Sequence, residues 1–361
     1  MNAARNLRSG PSTSADPDDY LEAQMNAVSR SFAVVVACLE QPLRMQFATA
    51  YLLCRVADNI EDCTEPAAWK ADRFADFESL LAAPERAPDL LPAWSAAPWP
   101  GLTDGERKLM GAGGAELWRT YAAISPTERE IIRRWVWDMA NGMRFLDDPG
   151  RQPVFLDLGG VKALASPSDY NYYCYIVAST VGHMATELVM HAYNIDGPVG
   201  RRLLEASETC GRALQKTNIL KDFAEDLERG VCYLPDEWLR LADRAPLSFG
   251  GASPTFIRAV FEDVLAELAI ASQYVLELPL AARDYRQASL LCLFPALQTN
   301  LLAVKERHTL FTGDHRYKIS RLTLSQCMLD ARRMAGDNAQ ILEYSRRLQE
   351  EIRRHLDFER D

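Results

Sequence analysis

The sequence predicts an all-α fold, and three observations support this class. Apolar residues recur at helical spacing along most of the 361-residue chain, a pattern typical of amphipathic helices packed around a core. Prolines and Ser-Pro pairs precede several of these segments, and proline is favoured in the first turn of a helix. No convincing run of alternating apolar and polar residues indicates a β-strand. We therefore expect one domain of about ten helices, longer than average.

The first half of the chain begins with a segment rich in Ser, Ala, Asn and Pro. We expect a disordered tail over residues 1–17 and a single domain over 18–361. Turn signals predict helices over 18–29, from Pro42 to Asp62, and onward from Pro66. Five prolines and two tryptophans in residues 84–102 predict a loop packed by its aromatic side chains. A helix over 103–124 is weakened in the middle by three glycines, which indicates a kink or a close helix contact.

The second half continues with helices separated by short turns. The predicted helices run over 126–147, from Ser166-Pro167 to the Gly197-Pro198 turn, from there to Gly230, over 254–278, over 281–311 and from Leu322 to the end. Pro295 lies inside one of them, and we expect it to kink that helix.

Composition excludes several classes of protein. A net charge of −10 argues against a nucleic-acid-binding surface. The eight cysteines form no CxxC pair and lie mostly in apolar helical runs, so we expect free thiols in a reducing compartment. The five histidines show no metal-ligand spacing. We find no signal peptide and no apolar run near the ~20 residues that span a membrane, and we expect a cytoplasmic protein without a transmembrane segment.

The stretch from Gln215 to Asp226 contains no glycine or proline and is typical of a helix. Asn218, Asp222 and Asp226 are spaced four residues apart, which places them on one helical face despite the repulsion between like charges at this spacing. We call these three residues the second row. Stacked oxygen ligands suit Mg²⁺, which binds carboxylates, water and substrate phosphate.

A similar arrangement occurs earlier, between residues 51 and 62. Asp58, Glu61 and Asp62 follow the spacing i, i+3 and i+4, and we call them the first row. Acidic residues at helical spacing usually mark a solvated face, but both rows have apolar neighbours, among which an unpaired acid is costly. Two such faces turned toward each other would hold a diphosphate through bridging metal ions.

At these residues the sequence resembles the squalene and phytoene synthase family. The resemblance is carried by five stretches that span most of residues 20–330, and it favours the squalene branch. The stretches are Ser29–Phe32, Tyr51–Asp62, Tyr173–Gly182, Gln215–Asp226 and Lys318–Arg321.

The resemblance implies the isoprenoid synthase fold, a single helical bundle around a central cavity. It implies that two farnesyl diphosphates condense head to head to presqualene diphosphate, which NADPH reduces to squalene. Alternatives are a hydroxysqualene, dehydrosqualene or phytoene synthase without the reductive step, or a non-catalytic helical assembly protein that has kept the fold. Because substrate and product are apolar, we also expect peripheral contact with a membrane.

Site residues follow from the resemblance position by position. It implies that both rows bind diphosphate through Mg²⁺. Candidate diphosphate ligands are Arg30, Ser31, Arg55, Gln215 and Lys221. The candidates for cation stabilisation are Phe32, Tyr51 and Tyr173, and Val177 and Leu291 could line the substrate tunnel.

Each of these assignments has a simpler alternative. Arg55 could be an ion pair to the first row, and Tyr173, Val177 and Leu291 could be ordinary core residues. For Phe32, core packing is the better single explanation.

The resemblance implies that Lys318 and Arg321 contribute to an NADPH site, with residues 312–321 as a flap. The chain has no GxGxxG motif in a strand–helix setting, so the cofactor would bind without a Rossmann unit. A solvated basic turn explains this pair equally well.

The chain departs from the family pattern at three positions. Lys221 stands where arginine is usual, Val231 replaces an arginine after a glycine, and Ser179 replaces a glycine. These changes leave the two rows intact but affect the diphosphate contacts, because lysine and arginine are not interchangeable.

Overall fold

Helices form most of the computed structural model, which describes residues 17–146, 148, 150–242, 253–311 and 317–357. The predicted N-terminal tail lies outside these residues except for Pro17, which begins the first helix. The helices of the first half are α1 Pro17–Val28, α2 Arg30–Val36, α3 Leu43–Glu61, α4 Ala67–Ala82, α5 Ala87–Ala96, α6 Asp104–Met110, α7 Ala115–Ala123 and α8 Pro126–Met143.

The helices of the second half include the longest in the described chain. They are α9 Pro167–Cys174, α10 Thr180–Tyr193, α11 Gly197–Lys221, α12 Phe223–Glu228, α13 Asp236–Leu239, α14 Pro254–Glu277, α15 Arg283–Lys305, α16 Arg307–Leu310, α17 Arg321–Met334 and α18 Asn338–His355. A π-helical segment, Tyr175–Ser179, joins α9 to α10. Such π segments occur frequently at functional sites.

Several helix boundaries differ from the prediction because local contacts divide the longer segments. The predicted helix over 103–124 breaks at Gly111, where a Cβ atom would lie 2.6 Å from the Ser95 hydroxyl, so close packing replaces helix continuity there. The segment after Leu322 contains two helices, α17 and α18, separated at 335–337. The predicted kink at Pro295 does not end its helix, since α15 continues through that residue.

The prediction of a loop over 84–102 is wrong. A 3-10 turn, Pro84–Arg86, leads directly into α5, which places one proline in its first turn and includes another at Pro92. Proline fits the first turn of a helix without loss of a hydrogen bond. The aromatic packing is confirmed, because Trp94 and Trp99 are both buried with ring centroids 5.7 Å apart.

The prediction that strands are absent is also wrong, although the strands are short. The strands β1 Phe155–Asp157, β2 Lys162–Leu164 and β3 Val231–Cys232 form one sheet. β1 and β2 are antiparallel around a turn in which Gly159 and Gly160 have positive φ, and β3 pairs parallel with β2. Two or three residues are too few to produce a detectable alternation of apolar and polar side chains.

The packing contacts between helices close a ring. α3 packs on α8, α8 on α10, α10 on α11, α11 on α15, α15 on α2, and α2 again on α3. The helix α3, which ends in the first row, and the helix α11, which leads into the second row, therefore occupy opposite sides of this ring. Outside it, α14 packs on α11, and both α17 and α18 pack on α15.

The thiol and membrane predictions can be compared with this arrangement. All eight cysteines are free, as expected. In the part of the chain that the structure describes, one helix, α15, is long and apolar enough to cross a membrane, but 67% of that stretch is buried inside the protein. Since α15 also belongs to the ring, its apolar character is explained by its place in the core.

Candidate active site

The first row lies at the C-terminal end of α3, which is uninterrupted from Leu43 to Glu61. Asp58 and Glu61 are both partly buried, whereas Asp62 is exposed at the C-cap of the helix. The residues between them, Asn59 and Ile60, are buried. The row therefore runs from the interior of the bundle to its surface.

Arg55 links this row to an aromatic pair. Its Nη1 lies 3.5 Å from Asp58 Oδ2, and its Nη2 donates a hydrogen bond of 3.3 Å to the Tyr51 hydroxyl. The Tyr51 ring stacks on Phe32 with centroids 4.7 Å apart. The structure thus places one candidate diphosphate ligand, Arg55, beside two candidates for cation stabilisation, and it forms the ion pair considered as an alternative role for Arg55.

The environment of Asp58 disfavours its charged form. Burial raises the pKa of this carboxyl to about 6, although the Arg55 guanidinium acts in the opposite direction and Asp62 adds to the increase. A carboxylate that is desolvated and only partly compensated is stabilised by an additional cation. The first row therefore has the electrostatic character of a cation-binding site.

The second row does not lie on one continuous helix, and that prediction is wrong. α11 ends at Lys221, and Asp222 adopts φ −100° and ψ 11° before α12 begins at Phe223. The amide of Asp222 still donates to the Asn218 carbonyl at 2.8 Å, and the amide of Asp226 donates to Asp222 at 3.0 Å. These bonds preserve the four-residue register across the break. An aspartate is suited to this position because it readily caps helices and tolerates non-helical backbone.

Lys221 occupies the surface of this row. Its Nζ lies 3.1 Å from Asp222 Oδ2 and donates a hydrogen bond of 3.3 Å to Asn218 Oδ1. The lysine thus contacts two of the predicted metal ligands directly. It plays the same part for the second row that Arg55 plays for the first.

Asp226 is the partly buried acid at the far end of the second row. Burial raises its pKa to about 7, and repulsion from Asp222 adds to the increase, while Arg229 and Lys221 act in the opposite direction. Like charges in a desolvated site favour protonation of one of them. As in the first row, a bound cation would relieve this unfavourable energy.

Buried polar contacts fix the part of α11 that precedes the second row. Lys216 is fully buried and forms ion pairs with Asp263 at 2.6 Å and Glu267 at 3.1 Å, both on α14. The neighbouring Thr217 accepts a hydrogen bond of 2.9 Å from Asn300 on α15. Sequence reasoning overlooked these contacts, which fix α11 against two neighbouring helices.

Tyr233 was also overlooked, and it lies where several parts of the site meet. It follows β3, and its ring stacks on that of Tyr173 with centroids 4.5 Å apart. Phe155 of β1 packs its edge against both rings. The Tyr-Leu-Pro sequence at residues 233–235 was visible as a feature following the second row. Its contact with Tyr173 depends on the short sheet, which the sequence pattern did not predict.

The environment of Tyr233 relates the two rows to each other. Burial raises its pKa to about 12, a hydrogen bond with Tyr173 acts in the opposite direction, and the carboxylates of Glu61, Asp226 and Asp62 add to the increase. Acids from both rows therefore act on one phenol. Tyr233 therefore lies within the electrostatic influence of both rows.

The carboxylate and amide oxygens of the two rows are donors of the type that Mg²⁺ binds. Among the described residues, no three His, Cys, Asp or Glu side chains converge closely enough to form a metal site. Mg²⁺ typically takes only one or two carboxylates and completes its shell with water and substrate phosphate. The two raised carboxyl pKa values are consistent with such partial ligation.

The other predicted residues occupy varied environments. Ser31, Lys318 and Arg321 are exposed, Gln215 and Val177 are partly buried, and Leu291 is buried on α15. Val177 lies in the π-helical segment between α9 and α10. The side chain of Arg30 and residues 312–316 of the predicted flap lie outside the described residues.

Of the departures from the family pattern, Ser179 has a clear structural role. Its hydroxyl donates a hydrogen bond of 2.7 Å to the Glu208 carbonyl of α11. Gly211 provides the space for this contact, because a Cβ there would lie 2.6 Å from the Ser179 Cα. The serine thus helps to hold the π-helical segment against the helix that leads to the second row.

The chain matches the family model described as squalene/phytoene synthase over residues 25–323. It is 29% identical to a squalene synthase of Candida albicans over 59% of this chain and 44% of that protein. It is 30% identical to a squalene synthase of Saccharomyces cerevisiae over 60% of this chain and 46% of that protein. The matched region thus spans less than half the length of these curated relatives.

Two solved structures have a similar fold. TcSQS in complex with a ligand superposes with a TM-score of 0.75 and 21% identity, covering 95% of this chain and 97% of that one. A dehydrosqualene synthase in complex with a ligand superposes with a TM-score of 0.60 and 19% identity, covering 88% and 98%. At these identities, the likeness establishes the isoprenoid synthase fold.

Proposed function

The chain belongs to the squalene/phytoene synthase family, and from this membership and the site geometry we propose that it is a Mg²⁺-dependent squalene synthase. The proposed reaction joins two farnesyl diphosphates head to head and reduces the presqualene diphosphate so formed with NADPH. The proposal is supported by two observations: acids of both rows raise the pKa of the buried Tyr233, and α3 and α11 lie on opposite sides of the helix ring. This is the arrangement needed to hold a diphosphate between two helices.

Both rows would bind the diphosphate groups. Mg²⁺ bound there would act as a Lewis acid that neutralises the charge developing on the leaving diphosphate. Arg55 and Lys221 each contact a row directly, so each can donate to phosphate oxygens without a large rearrangement. Preorganised donors of this kind stabilise developing charge most effectively in a partly desolvated site.

The aromatic residues would protect the prenyl cation left behind. The stacked Phe32–Tyr51 pair lies beside Arg55, and the stacked Tyr173–Tyr233 pair lies beside the acids. Aromatic faces stabilise cations without attacking them as nucleophiles. Tyr173 would also assist the proton loss that closes the cyclopropane ring, with its hydroxyl oriented by Tyr233.

The reductive step would use Lys318 and Arg321. Both are exposed, they lie three residues apart beside the N-terminus of α17, and two cations suit a cofactor phosphate. NADPH bound there would supply the hydride that converts presqualene diphosphate to squalene. This assignment rests on the resemblance and on the donor chemistry of the pair.

One assay tests the reaction and its competitors together. The purified protein is incubated with farnesyl diphosphate and Mg²⁺, with and without NADPH, and products are identified by mass spectrometry. We expect presqualene diphosphate without NADPH and squalene with it. If the sole product is hydroxysqualene or dehydrosqualene, or phytoene from a longer substrate, the assignment of a reductive step is wrong. An absence of turnover and of Mg²⁺-dependent diphosphate binding would support the non-catalytic assembly protein.

Localisation follows from the substrates. We propose a cytoplasmic protein that contacts the membrane peripherally, because farnesyl chains and squalene partition into lipid. Vesicle cosedimentation tests this directly, and a protein that stays in the supernatant under all lipid compositions would contradict it.

A further inference from the structure

Helix α17 has two faces of different character. Its buried face contacts the rest of the protein through Cys327, Asp330, Ala331 and Met334. Leu324 and Met328 are exposed along its flank, and the opposite side carries the exposed leucines Leu322 and Leu329. We call this side the α17 face.

Two leucines lie at the centre of the α17 face. Leu322 is 81% exposed and Leu329 is 64% exposed, which are the two highest exposures among the large apolar residues of the described chain. They are seven residues apart, so they project from the same side, directly opposite the buried residues. Singly exposed leucines are ordinary on a protein surface, but an aligned apolar strip on one helix indicates an interaction surface.

The charges of α17 are almost entirely positive. Arg321, Arg332 and Arg333 are exposed, and Lys318 lies just before the helix. The single acid of α17, Asp330, is buried and paired with Arg333 at 3.0 Å. This local excess of positive charge occurs in a chain with a net charge of −10. The α17 face is therefore complementary to an anionic surface.

We propose that the α17 face docks on an anionic lipid membrane, with Leu322 and Leu329 inserted at the boundary between headgroups and acyl chains. A helix with an apolar strip flanked by arginines is the arrangement that binds in the plane of a membrane interface. Each basic residue near an anionic surface adds to the attraction. The arginine side chains reach the lipid phosphates while the leucines leave water.

The residue types favour lipid over a protein partner. Protein interfaces are enriched in aromatic anchors, which contribute most of the binding energy. The sequence of α17 contains no Phe, Tyr or Trp. Leucine and arginine without aromatic anchors match a fluid, anionic partner that needs no shape complementarity.

The experiment is cosedimentation of the full chain with vesicles. One set contains phosphatidylcholine alone, and the other contains about 30% phosphatidylglycerol. We expect binding to the anionic vesicles, weak binding to the neutral ones, and release at high salt. The variant Leu322→Gln/Leu329→Gln should bind about tenfold more weakly, whereas Leu241→Gln, at an exposed leucine of another element, should bind like the wild type.

A second pair of variants tests the charges. Arg332→Gln should weaken binding to anionic vesicles several-fold, about the contribution of one surface arginine. Arg346→Gln makes the same formal change on α18, but Arg346 is already paired with Glu343 and Glu350, so its replacement should have little effect. None of these variants alters Lys318 or Arg321, and thermal unfolding verifies that each is folded.

The proposal does not depend on the catalytic assignment, since binding is measured without substrate. It is overturned if the wild type fails to bind anionic vesicles, or if the double leucine variant binds as tightly as the wild type. Size-exclusion chromatography provides a further check. A dimer that Leu322→Gln/Leu329→Gln dissociates, in a protein without lipid affinity, would assign the α17 face to a second copy of the chain.

Discussion

The two acidic rows have similar ligands but are built differently. The first row lies on the uninterrupted helix α3, and its basic partner Arg55 is itself held by Tyr51. The second row crosses a break at Asp222, and its basic partner Lys221 contacts only members of that row among the contacts described above. The first row is thus fixed by its helix and an aromatic neighbour, and the second by backbone hydrogen bonds across a break.

The difference indicates a division of roles. Both rows contain one carboxyl whose pKa is raised by burial, to about 6 in Asp58 and about 7 in Asp226. In both rows a second acid adds to this increase and a basic side chain opposes it. Because Arg55 opposes the increase in the first row, its removal should appear in the pH dependence of activity. The pKa of Asp226 rises further despite Arg229 and Lys221, so loss of this carboxyl should appear in the stability of the metal-free protein.

The largest expected effect is loss of turnover when either row loses a carboxylate. Asp62→Asn and Asp222→Asn should each lower kcat/KM by about 1,000-fold or more, since under the proposed function each would remove a ligand for the metal ions that neutralise the leaving group. Turnover of farnesyl diphosphate at saturating Mg²⁺ measures the loss. If the rows act as a unit, the double variant should be scarcely worse than either single one.

The matched control is Asp72→Asn on α4, an exposed acid outside both rows. It should retain full activity, and circular dichroism should show all four proteins folded. Wild-type turnover by Asp62→Asn or Asp222→Asn would refute the proposed cage.

Arg55→Gln should lower kcat/KM by about 100-fold, the usual cost of removing one donor that stabilises developing charge. The pH profile distinguishes this role from a structural one. Without the guanidinium, the pKa of Asp58 should rise further above 6, so the acid limb of kcat/KM moves to higher pH. Arg55→Lys keeps the positive charge, so the acid limb of its pH profile should lie close to that of the wild type. An acid limb that stays in place in Arg55→Gln would remove Asp58 from the essential groups.

Tyr233→Phe tests the residue that acids of both rows approach. The substitution keeps the ring stacked on Tyr173 but removes the hydroxyl that hydrogen-bonds with it. We expect kcat/KM to fall about tenfold, the worth of one hydrogen bond, at nearly unchanged thermal stability. The control is Tyr121→Phe. The Tyr121 hydroxyl donates a hydrogen bond to the Leu81 carbonyl, 40 residues earlier in the chain, and its loss should affect stability alone. Equal activity losses in the two variants would mean that Tyr233 has only a packing role.

The two rows also show how much of the candidate site can be predicted from the sequence. Four-residue spacing and apolar neighbours identified both rows, because helical periodicity fixes which side chains share a face. The break at Asp222 could not be predicted, because no glycine or proline lies there. Tyr233 could not be predicted because its place depends on pairing between strands about seventy residues apart in the chain, and such long-range contacts leave no local pattern. The α17 face could not be recognised from periodicity, since an apolar helical strip ordinarily marks a buried side.

Asp226→Asn should stabilise the metal-free protein at high pH. The pKa of Asp226 is raised from 3.8 to about 7 on folding, so its favourable contribution is complete below the unfolded value and is lost as pH rises through the folded one. Above that range, the variant should be more stable by about 1 kcal/mol, a figure discounted for partial exposure. Urea unfolding with chelator at about pH 3 and about pH 8 measures the difference.

At the lower pH the two proteins should unfold alike, and Mg²⁺ with pyrophosphate should reverse the difference at the higher pH. Asp222→Asn is the contrasting variant, because it removes an ion pair to Lys221 and should not stabilise the protein. If the wild type is more stable than Asp226→Asn at high pH without metal, the charge of Asp226 is already compensated by neighbouring basic side chains.

The smallest expected effect concerns Lys221, which stands where the family resemblance implies arginine. Its ammonium reaches both Asn218 and Asp222, and a guanidinium can do the same with additional donors. Lys221→Arg should therefore change kcat/KM by no more than about threefold, whereas Lys221→Gln should lose about tenfold, because charge near the diphosphate matters more than its shape. If Lys221→Arg loses as much as Lys221→Gln, the break at Asp222 accepts only the compact ammonium, and the second row is as rigid as the first.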